Sequence, residues 1–259
     1  MTKPSILVVG SSNTDMIIKV QRIPKPGETI LGGQFAMAAG GKGANQAVGA
    51  ARAGGAVTFI ARIGQDMFGD KAIAGFVADG ITVKHVVRDR TLPSGVALIF
   101  VAENGENSIA VASGANARLT PADLKQAKSA FSKANVVVLQ LETPLQTVEA
   151  AVKLAANTGA RVILNPAPAR PLSDVLLRRV YLLTPNETEA ELLTGLRVQN
   201  DAAAARAADA LLARGVENVI ITLGARGALV AGRQSQGLVK GYKVKAVDTT
   251  AAGDVFNGA

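Results

Sequence analysis

The sequence predicts an α/β protein: three layers, α/β/α, around a central and mostly parallel sheet, with a small β-sheet lid. Three observations carry this. Short continuous apolar runs recur along the chain, as parallel strands covered on both faces require. Helical patterns separate them, so strand–helix–strand order repeats over residues 120–224. Two stretches, residues 15–37 and 92–112, break that rhythm with alternation, glycines and turn signals but no helix period.

The elements follow in order. Ile6–Val9 (ILVV) is the first buried strand. Ala44, Ala47, Val48 and Ala51 recur at i, i+3, i+4, i+7 and mark a helix. Gly95–Val101, a turn at Glu103–Glu106 and Ser108–Val111 read as a hairpin. Val136–Leu141 is a second buried strand, and Pro144 opens a helix that Gly159 ends. Val162–Leu164, Val180–Leu183 and Val219–Leu223 are further strands. A helix follows Thr184–Glu189 over 187–194, and Asp201 caps an Ala-rich helix, 202–214, closed by Gly215. The two irregular stretches read as a separate small sheet, whose closing over a site would exclude water, or as an antiparallel extension of the main sheet.

Composition removes several classes of function. The 259 residues contain no Cys and one His, His85. Disulfide scaffolds, thiolate metal sites and catalytic thiols are excluded, and a Ser–His–Asp hydrolase would depend on that one imidazole. With 48% apolar and 19% charged residues the chain can bury a sizeable core. The net charge of +8 is spread out, without a Lys/Arg run, and aromatics are 3%. That pattern argues against a nucleic-acid partner and reads as solubility, with attraction for small anions. No apolar stretch is long enough to span a bilayer, and MTKPSILVVG lacks a signal-peptide pattern, so the expected compartment is the cytoplasm with no membrane partner.

Four motifs carry chemistry. Ala39–Asn45 (AGGKGAN) sets three glycines around Lys42 directly before a helix. It is neither a Walker A loop nor GxGxxG. Its backbone can approach a ligand closely, with free N–H groups at the helix start, or it is only a strand-to-helix turn. Asp248–Asp254 (DTTAAGD) puts small residues before Asp254 at a helix start. Consecutive N–H groups there suit developing negative charge, and a carboxylate beside them can accept a hydroxyl proton. The plain alternative is an Asp placed for the helix dipole. In TPNETE (Thr184–Glu189), Asn186 and Glu189 lie three apart, able to orient waters on Mg²⁺, to cap the helix, or both. Thr222–Gly227 (TLGARG) is a glycine turn at a strand end, by itself a weak signal for a nucleotide.

Taken together and in this order, GGKGAN, NPAPA (Asn165–Ala169), TPNETEAELLTG, TLGARG and DTTAAGD resemble the ribokinase family of carbohydrate kinases, also called the phosphofructokinase-B family. GSSNTD (Gly10–Asp15), PKPGET (Pro24–Thr29) and QLETP (Gln140–Pro144) extend the likeness over the whole chain.

The resemblance implies transfer of the γ-phosphoryl of ATP to the 5-hydroxyl of D-ribose. It implies that Asn13, Thr14 and Asp15, the cradle residues Gly41, Lys42, Gly43, Ala44 and Asn45, and Glu142 bind the sugar. Asp254 would be the catalytic base, with an anion hole from Ala251, Ala252 and Gly253. Asn186, Thr222, Leu223, Gly224, Ala225, Arg226, Gly227 and Gly253 would contact the nucleotide, and Glu189 would hold Mg²⁺ through water. Asp248 and Thr250 match two ligands of an activating K⁺ ion, and the lid strands would pair two subunits into a homodimer. His85 matches no motif and is expected on a strand or the surface.

The expected domain organisation is one domain of this family over 1–259, with lid strands from about 13–37 and 92–112. The family's C-terminal part would be absent, since the chain stops at Ala259, one turn into a helix beginning at Gly253. The missing part would complete that helix, part of the adenine pocket and the K⁺ site. Two alternatives stand: a kinase of the same family for another sugar or nucleoside, and a truncated, non-catalytic chain that binds sugar.

Overall fold

In the computed structural model, which describes residues 3–246 and 249–259, two sheets form. The larger has the order β13-β12-β11-β10-β9-β8-β1-β4-β5. Its parallel part consists of β1 (Ser5–Val9), β4 (Ala56–Gly64), β5 (Thr82–Asp89), β8 (Val136–Leu139), β9 (Arg161–Leu164), β10 (Leu182–Leu183) and β11 (Asn218–Thr222). β12 (Gly227–Gly232) and β13 (Gln236–Lys240) continue it antiparallel at one edge. Each predicted strand has a counterpart, but the second stops at Leu139, Val180–Leu183 shrinks to Leu182–Leu183 and the last runs from Asn218 to Thr222. Gln140 leaves the ladder because its buried amide turns to other side chains.

The core lies on both faces, as apolar runs without alternation require. One cluster joins Leu7, Phe131, Leu139, Leu164, Leu177, Leu183 and Leu211 under α5 (Leu145–Ala156) and α8 (Asp201–Ala213). The other joins Val8, Ala47, Val57, Phe59 and Phe76 under α1 (Lys42–Arg52) and α2 (Met67–Ala78). Two helix starts shift slightly. Asn200, not Asp201, caps α8 through its side chain, leaving Asp201 in the first turn, where a carboxylate also suits the dipole. The last helix, α9, spans Ala252–Gly258, one residue earlier than expected.

The two irregular stretches do form a second sheet, of order β3-β2-β6-β7. Its strands are β2 (Asn13–Val20), β3 (Gln34–Gly40), β6 (Gly95–Ala102) and β7 (Asn107–Ala112). β2 leaves directly from the end of β1, and β3 leads into α1. The segment after β5 supplies β6 and β7. His85 sits half-buried in β5. Among the described residues no helix is long and apolar enough to cross a membrane.

The strand order sets the location of the site. From β1 the chain builds outward through β4 and β5, then returns to the other side of β1 at β8. The carboxyl ends of β1 and β8 therefore flank a switch point, where open α/β sheets form their binding crevice. Polar residues follow every parallel strand there: Ser11 after β1, Gln140 and Glu142 after β8, Asn165 after β9, Thr184 after β10 and Thr222 at the end of β11.

Candidate active site

The glycine cradle joins β3 to α1, with Gly41 at φ 89° as the N-cap residue. Its N–H groups are not free, contrary to the expectation from the motif. Lys42 N donates to Glu142 Oε2 (2.9 Å), Gly43 N to Ser11 Oγ (3.3 Å) and Ala44 N to the Ser11 carbonyl (2.8 Å). Ser11 Oγ itself donates to Glu142 Oε2 at 2.5 Å. The first turn of α1 is thus welded to the ends of β1 and β8. Gly43 permits this: a Cβ there would lie 2.5 Å from Ser11 N and 2.7 Å from Gly10 Cα. Glu142 spends one oxygen on this joint, and its Oε1 has no hydrogen-bond partner among the described residues.

Asp254, in the first turn of α9, is buried against α1. Asn45 Nδ2 donates to its Oδ2 (3.0 Å) and Gln46 Nε2 to its Oδ1 (3.1 Å). α9 can lie this close because Gly258 has no side chain; a Cβ there would meet the Gln46 carbonyl at 2.6 Å. Ala251, ahead of α9, adopts φ 58°, a left-handed conformation that costs a non-glycine residue roughly 1 kcal/mol. The Ala252 N–H bonds the Thr249 carbonyl (3.2 Å).

Asp15, on β2, reaches the same region. Among the described residues its carboxyl has no hydrogen-bond partner, and it is raised from its ordinary value by burial first, then by the charges of Glu142 and Asp254. Asp15 therefore lies within electrostatic reach of both Glu142 and Asp254, carboxylates from separate parts of the sequence. Asn13, two residues before Asp15 on β2, has its amide oxygen occupied by Asn116 Nδ2 (2.8 Å).

Asn186 and Glu189 form a complete capping box at the start of α7 (Glu187–Thr194). Asn186 Oδ1 accepts from Glu189 N (2.8 Å), and Asn186 N donates to Glu189 Oε2 (2.9 Å). Burial raises the Glu189 carboxyl, and the nearby Asp254 charge adds to this, while Asn186 N–H and Lys42 oppose it. The turn after β11 lies beside them: Asn186 and Thr222 form a parallel bridge, and Thr222 N donates to the Pro185 carbonyl (3.0 Å). Leu223 is buried, Gly224–Arg226 make a 3₁₀ turn, and Gly227 opens β12. Arg226 is anchored to Glu187 (2.5 Å) and Asp201, while Ala225 sits in the turn itself. Asp248 lies outside the described residues; Thr250 sits in the turn before α9.

A buried amide relay that the motifs did not reveal connects these parts. Gln140 Nε2 donates to Gln46 Oε1 (2.6 Å), and Gln46 Nε2 also reaches Asn165 Oδ1 (3.2 Å). Asn165 Nδ2 donates to the Thr184 carbonyl (3.1 Å), Thr184 Oγ1 to Asn257 Oδ1 (2.5 Å), and Asn257 Nδ2 to the Gly253 carbonyl (2.7 Å). Gln140, Asn165 and Thr184 carried a readable signal, a polar residue directly after an apolar strand. Gln46 carried none. Chemically, the crevice offers hydroxyl-binding carboxylates and amides at one end and a backbone turn with a carboxylate cap at the other. A fixed, buried carboxylate stands between them, the layout that group transfer to a polyol needs.

The cavity of about 940 Å³ between α1, α2, β3 and α9 is walled mainly by apolar groups, among them Val48, Phe68, Phe76 and Val255. It borders the crevice at Asn13, Thr14 and Asn45, but the three carboxylates do not line it.

Comparison with known proteins decides the family. The model of the pfkB family carbohydrate kinases matches residues 3–259. The chain belongs to the pfkB family of carbohydrate kinases. It is 45% identical over 256 residues to a ribokinase of Haemophilus influenzae, covering 99% of this chain and 84% of that protein. A deoxyribokinase of Salmonella typhi is 41% identical, with 98% and 83% covered. The solved structure of a ribokinase of Arabidopsis thaliana complexed with ribose and ATP superposes with a TM-score of 0.92 at 32% identity, covering 100% of this chain and 85% of that one. The pfkB fold of these relatives is the two-sheet α/β arrangement described above.

Proposed function

We propose that this chain is an ATP-dependent kinase of D-ribose acting on the 5-hydroxyl, with Asp254 as catalytic base. The observation that supports this most is the buried Asp254 carboxylate held by two amide donors of α1, the helix whose first turn is bonded to Glu142 at the switch point, with Asp15 in electrostatic reach of both carboxylates. The relatives suggest the substrates: the two aligned above are named ribokinase and deoxyribokinase.

In this reading Asn13, Asp15, the free oxygen of Glu142 and the cradle around Lys42 and Asn45 hold the sugar. A site built on such groups rejects an analogue that lacks a hydroxyl, because its buried polar groups are then left unpaired. Asn45 and Gln46 keep the Asp254 carboxylate aimed at the hydroxyl that reacts, and Asp254 accepts its proton as the oxygen attacks phosphorus. The Ala252 N–H is already bonded to the Thr249 carbonyl, so in this reading the anion hole falls to the backbone of Ala251 and Gly253. The loose character of phosphoryl transfer leaves the protein mainly positioning and neutralisation to do.

The turn at Thr222–Gly227 and Asn186 receive the nucleotide. Among the described residues no three His, Cys, Asp or Glu side chains gather into a metal-binding group. Mg²⁺ would therefore ride on the nucleotide phosphates with its waters, one of them oriented by Glu189. A K⁺ ion near Thr250 and Asp248, and a cytoplasmic place of work, belong to the same reading. So does a homodimer: Met16, Ile18, Phe35, Met37, Leu98 and Phe100 share the face of the second sheet opposite Asp15, and Phe35 and Leu98 are largely exposed.

The test is ADP formation by the purified chain with Mg²⁺ and K⁺, dependent on ribose, beside 2-deoxyribose and fructose. Ribose is expected to give the highest kcat/KM. The 41% identical deoxyribokinase favours one second reading, and a preference for 2-deoxyribose would establish it in place of the first. Asp254→Asn should keep sugar affinity and lose on the order of 10²–10⁴-fold in kcat; turnover near wild type would remove Asp254 from the role of base.

A further inference from the structure

We infer that Asn116 is a positioning residue that sets the hydrogen-bonding polarity of Asn13, forcing it to present a donor, not an acceptor, to the sugar. This rests on the reading that the sugar binds against Asn13 and Asp15. Asn116 follows β7 in the 3₁₀ turn Gly114–Arg118 and is 2% exposed. No motif singled it out.

The inference follows from groups whose polarity is fixed. Ser12 N–H can only donate, and it donates to Asn116 Oδ1 (2.9 Å). The oxygen of Asn116 is therefore placed, and its NH₂ must lie on the other side. There it donates to the Ser12 carbonyl (3.1 Å), which can only accept, and to Asn13 Oδ1 (2.8 Å). Both hydrogens and the acceptor of Asn116 are thereby engaged. Asn13 must turn its oxygen towards Asn116, which leaves its own Nδ2 without a bond among the described residues. An Asn alone is free to present either end; here the Ser12 peptide group decides it through Asn116. Gly95 makes room for the pair, since a Cβ at that position would lie 2.1 Å from Asn13 Oδ1 and 2.3 Å from Asn116 Nδ2.

The consequence is chemical. Asp15, two residues along β2, offers only acceptor oxygens when ionised, and Asn13 offers only a donor. Neighbouring groups of opposite polarity suit hydroxyls, which both donate and accept. The same amide pairing also ties the start of β2 to the segment after β7.

The experiment is calorimetric titration of ribose into the 259-residue chain, into four variants and into Asn13→Ala as the reference for the double variant among them, with Tm recorded for each. Asn116→Asp keeps the acceptor for Ser12 N–H and sets a carboxylate oxygen against Asn13 Oδ1, so the Asn13 amide turns over. Ribose Kd should rise at least tenfold. Asn13→Asp, in which one oxygen still accepts from Asn116, removes the donor directly and should give a similar loss with Tm near wild type. In an Asn13→Ala background, Asn116→Asp should change ribose Kd less than twofold, because its effect passes through Asn13. A purely structural Asn116 would instead weaken binding equally in both backgrounds, and that result overturns the inference. So does wild-type ribose affinity in Asn13→Asp, a readout that stands even where Asn116→Asp fails to fold. The fourth variant, Asp15→Asn, separates the two levels. If it weakens ribose binding while Asn13→Asp does not, the sugar reading stands and the inference falls. If neither matters, or the wild type binds no ribose, the sugar reading falls and takes the inference with it.

Discussion

Gln46→Leu is the most informative single perturbation of the site. Gln46 is fully buried and joins α1 to three other elements. Its Nε2 donates to Asp254 Oδ1 at 3.1 Å and to Asn165 Oδ1 at 3.2 Å, and its Oε1 accepts from Gln140 at 2.6 Å. Leucine has nearly the same volume, so the cost is in polar groups and not in a cavity. Two neutral bonds contribute about 1 kcal/mol each, and the one to a carboxylate about 2 kcal/mol. The partners are themselves buried and left unpaired, so these values are lower bounds for each group. The gain from burying a leucine side chain offsets part of this, and the net loss is about 3–5 kcal/mol. A chain of this size loses roughly 2–4 °C of Tm per kcal/mol, so thermal unfolding should shift down by about 6–20 °C. Denaturant unfolding gives the free energy and kcat gives the aim of Asp254. A loss below about 1 kcal/mol would refute the reasoning. It would mean that water replaces the glutamine at no cost, or that the relay does not hold the base.

Two further substitutions probe charge. Asp15→Asn removes a carboxyl that the fold raises above its ordinary range, chiefly by burial. A raised carboxylate costs stability while ionised, and the cost fades as pH falls towards its unfolded value, so the variant should melt higher than wild type at pH 7 with a gap that closes on acidification. It should also bind ribose at least tenfold more weakly, about 1.4 kcal/mol; equal Tm values at every pH would contradict the burial argument. Arg62→Met strips the guanidinium from Asp89 (2.7 Å) and Asp123 (3.1 Å), both poorly exposed. Arg62, with the Leu92 and Thr91 N–H groups, holds the Asp89 carboxyl far below the ordinary range. Its contribution is therefore present above pH ~4 and lost as pH falls through the depressed value. Chemical denaturation at pH 7 should show a loss of about 3 kcal/mol that narrows below pH ~4; a loss that does not change with pH would show that packing, not charge, is what Arg62 supplies.

Much of this protein was legible in the chain itself. Runs such as ILVV and VIITL have no polar partner face, so they demanded a sheet covered on both sides. Alternation at 95–101 and 108–111 demanded a hairpin, and it forms β6 and β7 of the second sheet. The order of the glycine and acidic motifs pointed to the carbohydrate kinases because those local signatures are contiguous. The start of α7 was legible in both its parts, since the capping box needs only residues three apart.

What only the tertiary structure decided involves partners distant in sequence. The cradle N–H groups seemed free from the motif, but Glu142, one hundred residues away from Lys42, occupies one of them. Gln46 and Asp254 are 208 residues apart, and Asn13 and Asn116 are 103 apart. No periodicity encodes such pairs. A glutamine inside an amphipathic helix looks like any polar residue until α9 is laid against it, and an asparagine in a short turn gains meaning only when β2 starts beside it. The sequence by itself determined which faces are apolar and where the chain must turn, because those follow from side-chain solubility and backbone sterics. The fold decided which polar groups lose water together, and that common desolvation is what makes one aspartate a candidate base and one asparagine a candidate donor to the proposed sugar.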